Sequence, residues 1–264
     1  MFTKFWRNMC LLYGLIRMCS ITVLTVLASS ILCLTSATRR IGTPYLERQL
    51  YKNGFHRDLS TSVEWLVNPH NRGDINQCMI LLLEKLPSGV YVDPFQLSSM
   101  LQFGGPKVLI DASVDIEKPA HLSPPHTLHV YTELKTVTDN DEGFSLAALV
   151  TLPIHLRYQP PTHETSVTHV DVVISNPRLF TNCSIKESVA LLQAPCDHTN
   201  TSQCLWHEHH YLAEHDSVTC SVPVGNTSYL PLVVAVTLLV TGLGCVFIVY
   251  IVMTKQPQTK LKTS

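Results

Sequence analysis

The chain carries little charge and no excess of either sign. Nineteen Lys and Arg stand against twenty Asp and Glu, a formal net charge of −1. Without a basic excess there is no electrostatic footprint for a nucleic-acid backbone. Closely spaced cysteine pairs are also missing. Cys183, Cys196, Cys204 and Cys220 are separated by 12, 7 and 15 residues, whereas structural zinc sites favour two close pairs. There is no G-x-S-x-G, no phosphate-binding glycine loop and no dinucleotide fingerprint. No internal repeat or low-complexity linker divides the chain.

Three strings approach catalytic motifs and fail on a named residue. His56-Arg57-Asp58-Leu59 spells a kinase catalytic loop, but Val63 stands where the metal-binding Asn is required. Asp139-Asn140-Asp141 matches the acidic pair that some glycosyltransferases use, yet acids with Asn and Gly between strands are ordinary turn residues. Trp206 to His215 reads WHEHHYLAEH. A zincin needs two histidines at i and i+4 on one helical face, and Tyr211 occupies the second place. His210 and Glu214 do have that spacing, but a solvated amphipathic segment explains it as well. Nothing assembles an acid, a base and a nucleophile. No catalytic, cofactor-binding or metal-ligating residue is therefore assigned.

What the chain does have lies first at its ends. Tyr229 to Met253 contains no charged residue. About 20 residues of helix suffice to cross a bilayer core, so 229–253 is expected to be a transmembrane helix. The tail 254–264 has Lys255, Lys260 and Lys262 and no acid, which marks the cytosolic side. A polar tail after the apolar stretch argues against a cleaved GPI-attachment signal. Lys260 and Lys262, fifth and third from the end, match a dilysine signal through which coat proteins return membrane proteins to the endoplasmic reticulum. Near the other end, Lys4, Arg7 and Arg17 precede the apolar run Met18 to Leu34 and the small residues Thr35-Ser36-Ala37. Residues 1–37 are expected to be a signal peptide, with an uncleaved signal-anchor as the rival. Either way the remainder becomes a luminal domain, 38–228, of a type I membrane protein.

That interval of about 190 residues suits one large all-β domain or two small ones. Lys107 to Ile116, Thr127 to Leu134 and Val167 to Ser175 alternate apolar and polar residues as half-buried strands do. Cys78 to Leu83 is continuously apolar, as in a central strand. Ser145 to Tyr158 is expected to break at Pro153 or to lie at an edge. Only Phe95 to Phe103 and Cys204 to Glu214 look helical. The sum predicts a mainly β domain, an antiparallel sandwich-like fold. An oxidising lumen makes Cys78, Cys183, Cys196, Cys204 and Cys220 disulfide candidates. The clustered four are expected to pair, in any of three connectivities, and one thiol is left over. Asn182 and Asn200 head sequons in suitable loops, while a third at Asn226 abuts the membrane and is expected to stay unmodified. All thirteen histidines fall between the terminal segments. In a near-neutral compartment they are read as polar surface residues rather than acid sensors.

Four strings, in order, carry a resemblance: Gly54-Phe55-His56-Arg57-Asp58-Leu59, then Leu86-Pro87-Ser88-Gly89-Val90-Tyr91-Val92-Asp93-Pro94-Phe95-Gln96-Leu97, His155-Leu156-Arg157-Tyr158-Gln159-Pro160-Pro161, and Asn176-Pro177-Arg178-Leu179-Phe180. Followed by one C-terminal span, they resemble the PIG-X family over most of residues 45–253. The resemblance implies a non-catalytic accessory subunit of GPI mannosyltransferase I in the endoplasmic reticulum. Such a subunit stabilises a multispanning catalytic mannosyltransferase of the PIG-M kind, which adds the first mannose to the GPI precursor. The family supplies no catalytic residues to carry over. Residue by residue, the strings also read as structure: a turn at Pro87-Ser88-Gly89, and a helix opened by Asp93 as cap and Pro94 in its first turn. In the span, Thr237, Thr241 and Cys245 recur at i+4 beside Gly244, the small-residue pattern on which a partner helix packs. The rival functions are a single-pass receptor or adhesion ectodomain and a luminal metal-dependent hydrolase around His207 to Glu214.

Overall fold

The computed structural model describes residues 42–67, 78–140, 143–183 and 188–255. The leader 1–37 and the lysines Lys260 and Lys262 lie outside the described residues. In chain order the elements are β1 (Tyr45–Tyr51), β2 (His56–Val67), β3 (Met79–Leu86), β4 (Val90–Tyr91), α1 (Pro94–Leu101), β5 (Lys107–Ile110), β6 (His126–Glu133) and β7 (Lys135–Asn140). There follow β8 (Gly143–Leu156), β9 (His169–Ser175), β10 (Arg178–Thr181), β11 (Leu191–Pro195), β12 (Gln203–His209), β13 (Leu212–Ala213), β14 (Ser217–Pro223) and α2 (Leu230–Thr254).

Two six-stranded sheets and one ribbon result. The first sheet runs β13-β1-β2-β8-β4, with β7 also on β8. The second runs β11-β12-β10-β3-β6-β5, and β14 pairs with β9. All the pairings are antiparallel except the short one between β1 and β13. Alternation decides the faces. On β2, Leu59, Thr61, Val63, Trp65 and Val67 point inward and are buried. They meet Ile80, Leu82 and Leu86 of β3 and Leu128 and Val130 of β6 in one core. Val172, Ile174, Cys220 and Val222 bring the ribbon into the same core, while Asp171 and Val173 face out. The mainly β, sandwich-like fold is therefore as expected. On its other face the second sheet buries Leu81, Tyr131, Phe180, Ala194 and Trp206, which is why β3 reads as continuously apolar.

Three local expectations need correction, and a fourth, at Pro153, resolves to one of its two alternatives. Cys204 to Glu214 is not helical: it forms β12 and β13, because Trp206 and His209 must point into opposite packed faces, and a two-residue period does that. The strand at Lys107 stops at Ile110. The run around Pro153 takes the second of its two expected outcomes, a single strand that is an edge at the proline. Leu156 donates its N–H to Phe55 O on the β2 side, and Arg157 donates to Gly89 O on the opposite side, both at 2.8 Å. Even-numbered groups of β8 therefore face β2 and odd-numbered groups face away. Pro153 lacks its N–H where, among the described residues, no strand pairs, so the ladder loses nothing. Finally, only one pair forms within the clustered four cysteines, and Cys183 bonds outside the cluster. Cys78 joins Cys183 and Cys196 joins Cys204, while Cys220 is buried with a free thiol. The β3–β10 pairing sets Ile80 opposite Thr181, which brings the flanking cysteines together across a separation of 105 residues.

α1 appears where expected. Asp93 caps it, accepting from Phe95 N at 2.8 Å. Its exit needs two glycines. Gly104 has φ +79, and a Cβ on Gly105 would come within 2.8 Å of Met100 O. α2 is 25 residues long with none buried, and with the preceding 3-10 turn it is long and apolar enough to cross a membrane.

Candidate functional site

Three of the four strings converge at one end of the first sheet. Pairing of β2, β8 and β4 sets His56 opposite His155 and Tyr91 opposite His155. The rings then stack. His56 and His155 meet edge-on with centroids 4.4 Å apart, Tyr91 lies face-to-face with His155 at 5.0 Å, and Phe55 packs on Tyr158 at 4.9 Å. His155 Nε2 shares a 2.8 Å hydrogen bond with Gln96 Oε1, which ties α1 to the sheet. Gly89 makes the turn before β4 close-fitting, since a Cβ there would lie 3.0 Å from a Val172 methyl.

At the centre is Arg157, only 3% exposed. Its guanidinium carbon sits 4.4 Å above the Tyr91 ring, and its Nη1 donates to Lys118 O at 2.6 Å. Among the described residues it forms no ion pair, and its Nε has no partner. Lys118 belongs to a segment laid over the sheet end, held also by Ala120 N donating to Tyr158 O. Burial lowers the Arg157 pKa, and Tyr91 and Asp115 pull it back. Buried His126, whose Nε2 is also unpartnered, is pushed down by burial and then by Arg157. Burial and then His56 lower His155. Both rings are thus neutral near pH 7. The junction holds a cation and neutral rings, with no nucleophile and no poised acid. It is chemically suited to fixing loops.

The fourth string lies elsewhere. Asn176 donates to His215 O at 2.7 Å, and Arg178 makes a bidentate pair with Glu208 at 2.7 and 2.8 Å. Next to it is a buried ion pair between the sheets. Arg48 of β1 binds both oxygens of Glu84 of β3 at 3.0 Å, with side chains 2% and 3% exposed. Arg48 also donates to Ser175 O at 2.6 Å, so one residue ties both sheets to the ribbon. Burial raises the Glu84 pKa, and Arg48 opposes this. The signal available in the sequence was a lone acid inside the apolar run MILLLEKL.

The histidine-rich string is divided by its strand. His209 is buried against the edge of Trp65, centroids 4.8 Å apart, and bonds Thr181 Oγ1 at 2.9 Å. Thr181 gives its proton to Cys183 O, so His209 must donate to Thr181. Burial, and then His207, depress its pKa to about 4. His210 and Glu214 do not share a helical face. Among the described residues no group of three His, Cys, Asp or Glu could hold a metal ion.

Asn182 is exposed after β10, and its Oδ1 accepts from Met79 N at 2.8 Å. Asn200 is exposed at φ 54 in the loop that Cys196 and Cys204 close. Asn226 accepts from Ser228 N and caps the turn leading into α2. Thr241 folds its hydroxyl onto Thr237 O at 2.8 Å, and Gly244 and Cys245 follow on the exposed helix.

Comparison with known proteins gives a consistent picture. The family model described as PIG-X / PBN1 matches residues 52–253. A human protein named GPI alpha-1,4-mannosyltransferase I, stabilizing subunit, is 30% identical over 204 residues, 74% of each chain. Its Rattus norvegicus counterpart is 29% identical, over 75% of this chain and 77% of the relative. Protein PBN1 of Debaryomyces hansenii is 28% identical over 56% of this chain and 29% of its own.

Proposed function

The chain belongs to the PIG-X / PBN1 family, and on that premise we propose that it is a non-catalytic stabilising subunit of GPI mannosyltransferase I. The observation that carries this is the match over 204 residues to a relative with that printed name. The junction supports it, because Arg157, Tyr91, His155 and Gln96 offer packing and no reactive pair. The partner is a multispanning catalytic subunit of the PIG-M kind in the endoplasmic-reticulum membrane, and the step supported is addition of the first mannose to the GPI precursor.

In this reading residues 1–37 direct the chain to the membrane, the β domain 38–228 is luminal, 229–253 spans the bilayer and 254–264 is cytosolic. Lys260 and Lys262 recruit coat proteins for retrieval. Asn182 and Asn200 carry glycans. Thr237, Thr241, Gly244 and Cys245 line the face of α2 on which a partner helix packs. Deleting the gene in a cell line tests the whole. Surface GPI-anchored proteins and the catalytic subunit should both fall, and an unmannosylated precursor should accumulate. Normal levels of all three would refute the proposal.

A further inference from the structure

β8 has a gap along one edge. β7 pairs with it as far as Ala147, and β4 resumes opposite His155. Among the described residues no strand pairs with the odd-numbered main-chain groups between them. Leu149 and Thr151, both exposed, therefore turn N–H and C=O toward the unpaired side, and the buried Pro153 closes the end of the row. Seven residues, 148–154, make the floor of a slot about 24 Å long at the strand rise. The slot lies in a trough of about 910 Å³ lined by Met100, Gly105, Tyr131, Val137 and Leu149 among others. Leu149 is 67% exposed.

We propose that this slot receives an extended segment of five to seven residues from the catalytic mannosyltransferase subunit, added as a strand beside β8. This identification of the occupant rests on the function proposed above. A row of alternating main-chain donors and acceptors is matched by another extended backbone. Pairing with β8 of a second copy of this chain does not fit. That β8 is recessed between β7 and β4, so the rims would meet before the two floors reached the 4.7–4.9 Å of paired strands. Charge adds direction. Lys52 pairs with Asp58 at 2.8 Å and Lys107 with Glu133 at 3.6 Å. Lys135, at the β7 end, has no ion-pair partner among the described residues. The incoming segment therefore carries an acid at that end and an apolar residue over Leu149.

Pro153 shows how to test this without unfolding the domain. Thr151→Pro removes one N–H that faces the slot and none that faces β2. Val150→Pro removes one that faces β2 and should break the sheet. In cells lacking the endogenous chain, the full-length variants are expressed with the catalytic subunit and recovered in detergent. Thr151→Pro should keep wild-type protease resistance and recover at least fivefold less catalytic subunit. In an otherwise wild-type chain, a photo-crosslinking residue at position 149 should attach to one extended luminal segment of that subunit. Full recovery with Thr151→Pro, or attachment only to a second copy of this chain or to nothing, overturns the slot. If Thr151→Pro fails to fold, the crosslink decides alone. Should the wild-type chain recover no catalytic subunit at all, the proposed function itself falls, which distinguishes the two failures.

Discussion

Arg48 and Arg157 are both buried to within 3% of full enclosure or better, yet they are held in opposite ways. Arg48 reaches across the core to a carboxylate that is itself buried, so each charge neutralises the other. Arg157 has a carbonyl and the face of a tyrosine instead. The first arrangement is a closed pair inside the sandwich. The second leaves a cation at the rim, enclosed by strings that lie far apart in the sequence. A buried charge paired with its opposite is costly to break from either side, because the survivor is stranded. An arginine held by a ring and a carbonyl strands no charge when it is removed, only the Lys118 carbonyl.

The largest expected effect follows directly. Glu84→Ala leaves Arg48 buried and unpaired, and should cost about 3–5 kcal/mol, a large part of the 5–15 typical of a domain. Urea unfolding of the full chain in detergent measures it. Arg48→Met combined with Glu84→Leu should restore most of the loss. A Glu84→Ala chain as stable as that double variant would show that the pair is not a unit.

Acid sharpens the contrast next. Burial also keeps three histidines neutral: His209 in the core, and His126 and His155 at the junction. The folded pKa of His209 is about 4, against about 6.5 when unfolded. The unfolded chain therefore binds the proton first. Stability is complete above about pH 6.5 and falls as pH drops toward 4, by on the order of 2 kcal/mol for this residue after allowing for residual solvent. His126 and His155 shift in the same direction. His209→Gln should flatten the pH profile of the unfolding free energy in that window. An unchanged slope would assign the acid sensitivity to the junction instead.

Removing the other arginine should do less. Arg157→Met keeps the stem that packs under the Lys118 segment and deletes the charge and its hydrogen bond to Lys118 O, so about 1–2 kcal/mol is expected. Limited proteolysis near Lys118 should accelerate while β3 stays protected. A loss as large as that of Glu84→Ala would mean that Arg157 has an acidic partner after all.

Much of the architecture was legible because alternation and punctuation are local. β6, β9, β3 and α1 followed from residues within their own spans. β12 did not, because His209 and Trp206 are placed by Trp65 on one side and the second sheet's outer cluster on the other, and no nearby residue shows that. Pro153 left two outcomes open for a related reason. Its cost depends on which side lacks a neighbour, and the neighbours β4 and β7 come from other parts of the chain. The strings of the junction stood out one by one, but their meeting at His155 is a property of sheet register. The Cys78–Cys183 pairing is likewise set by β3 lying beside β10.

The smallest expected effect tests whether the junction is built from the helix side. Asp93 caps α1, and Gln96 in that helix bonds His155. Asp93→Ala removes one acceptor for a free N–H, worth about 1 kcal/mol, and Asp93→Asn should restore it. The consequence should be local. Hydrogen exchange should quicken in α1 and at the β4 end of β8, where Gln96 loses its fixed position, and stay slow in β3 around the Arg48–Glu84 pair. Equal quickening in both places would mean that the junction and the closed pair unfold as one unit, and the distinction between the two arginines would then be one of geometry without energetic independence.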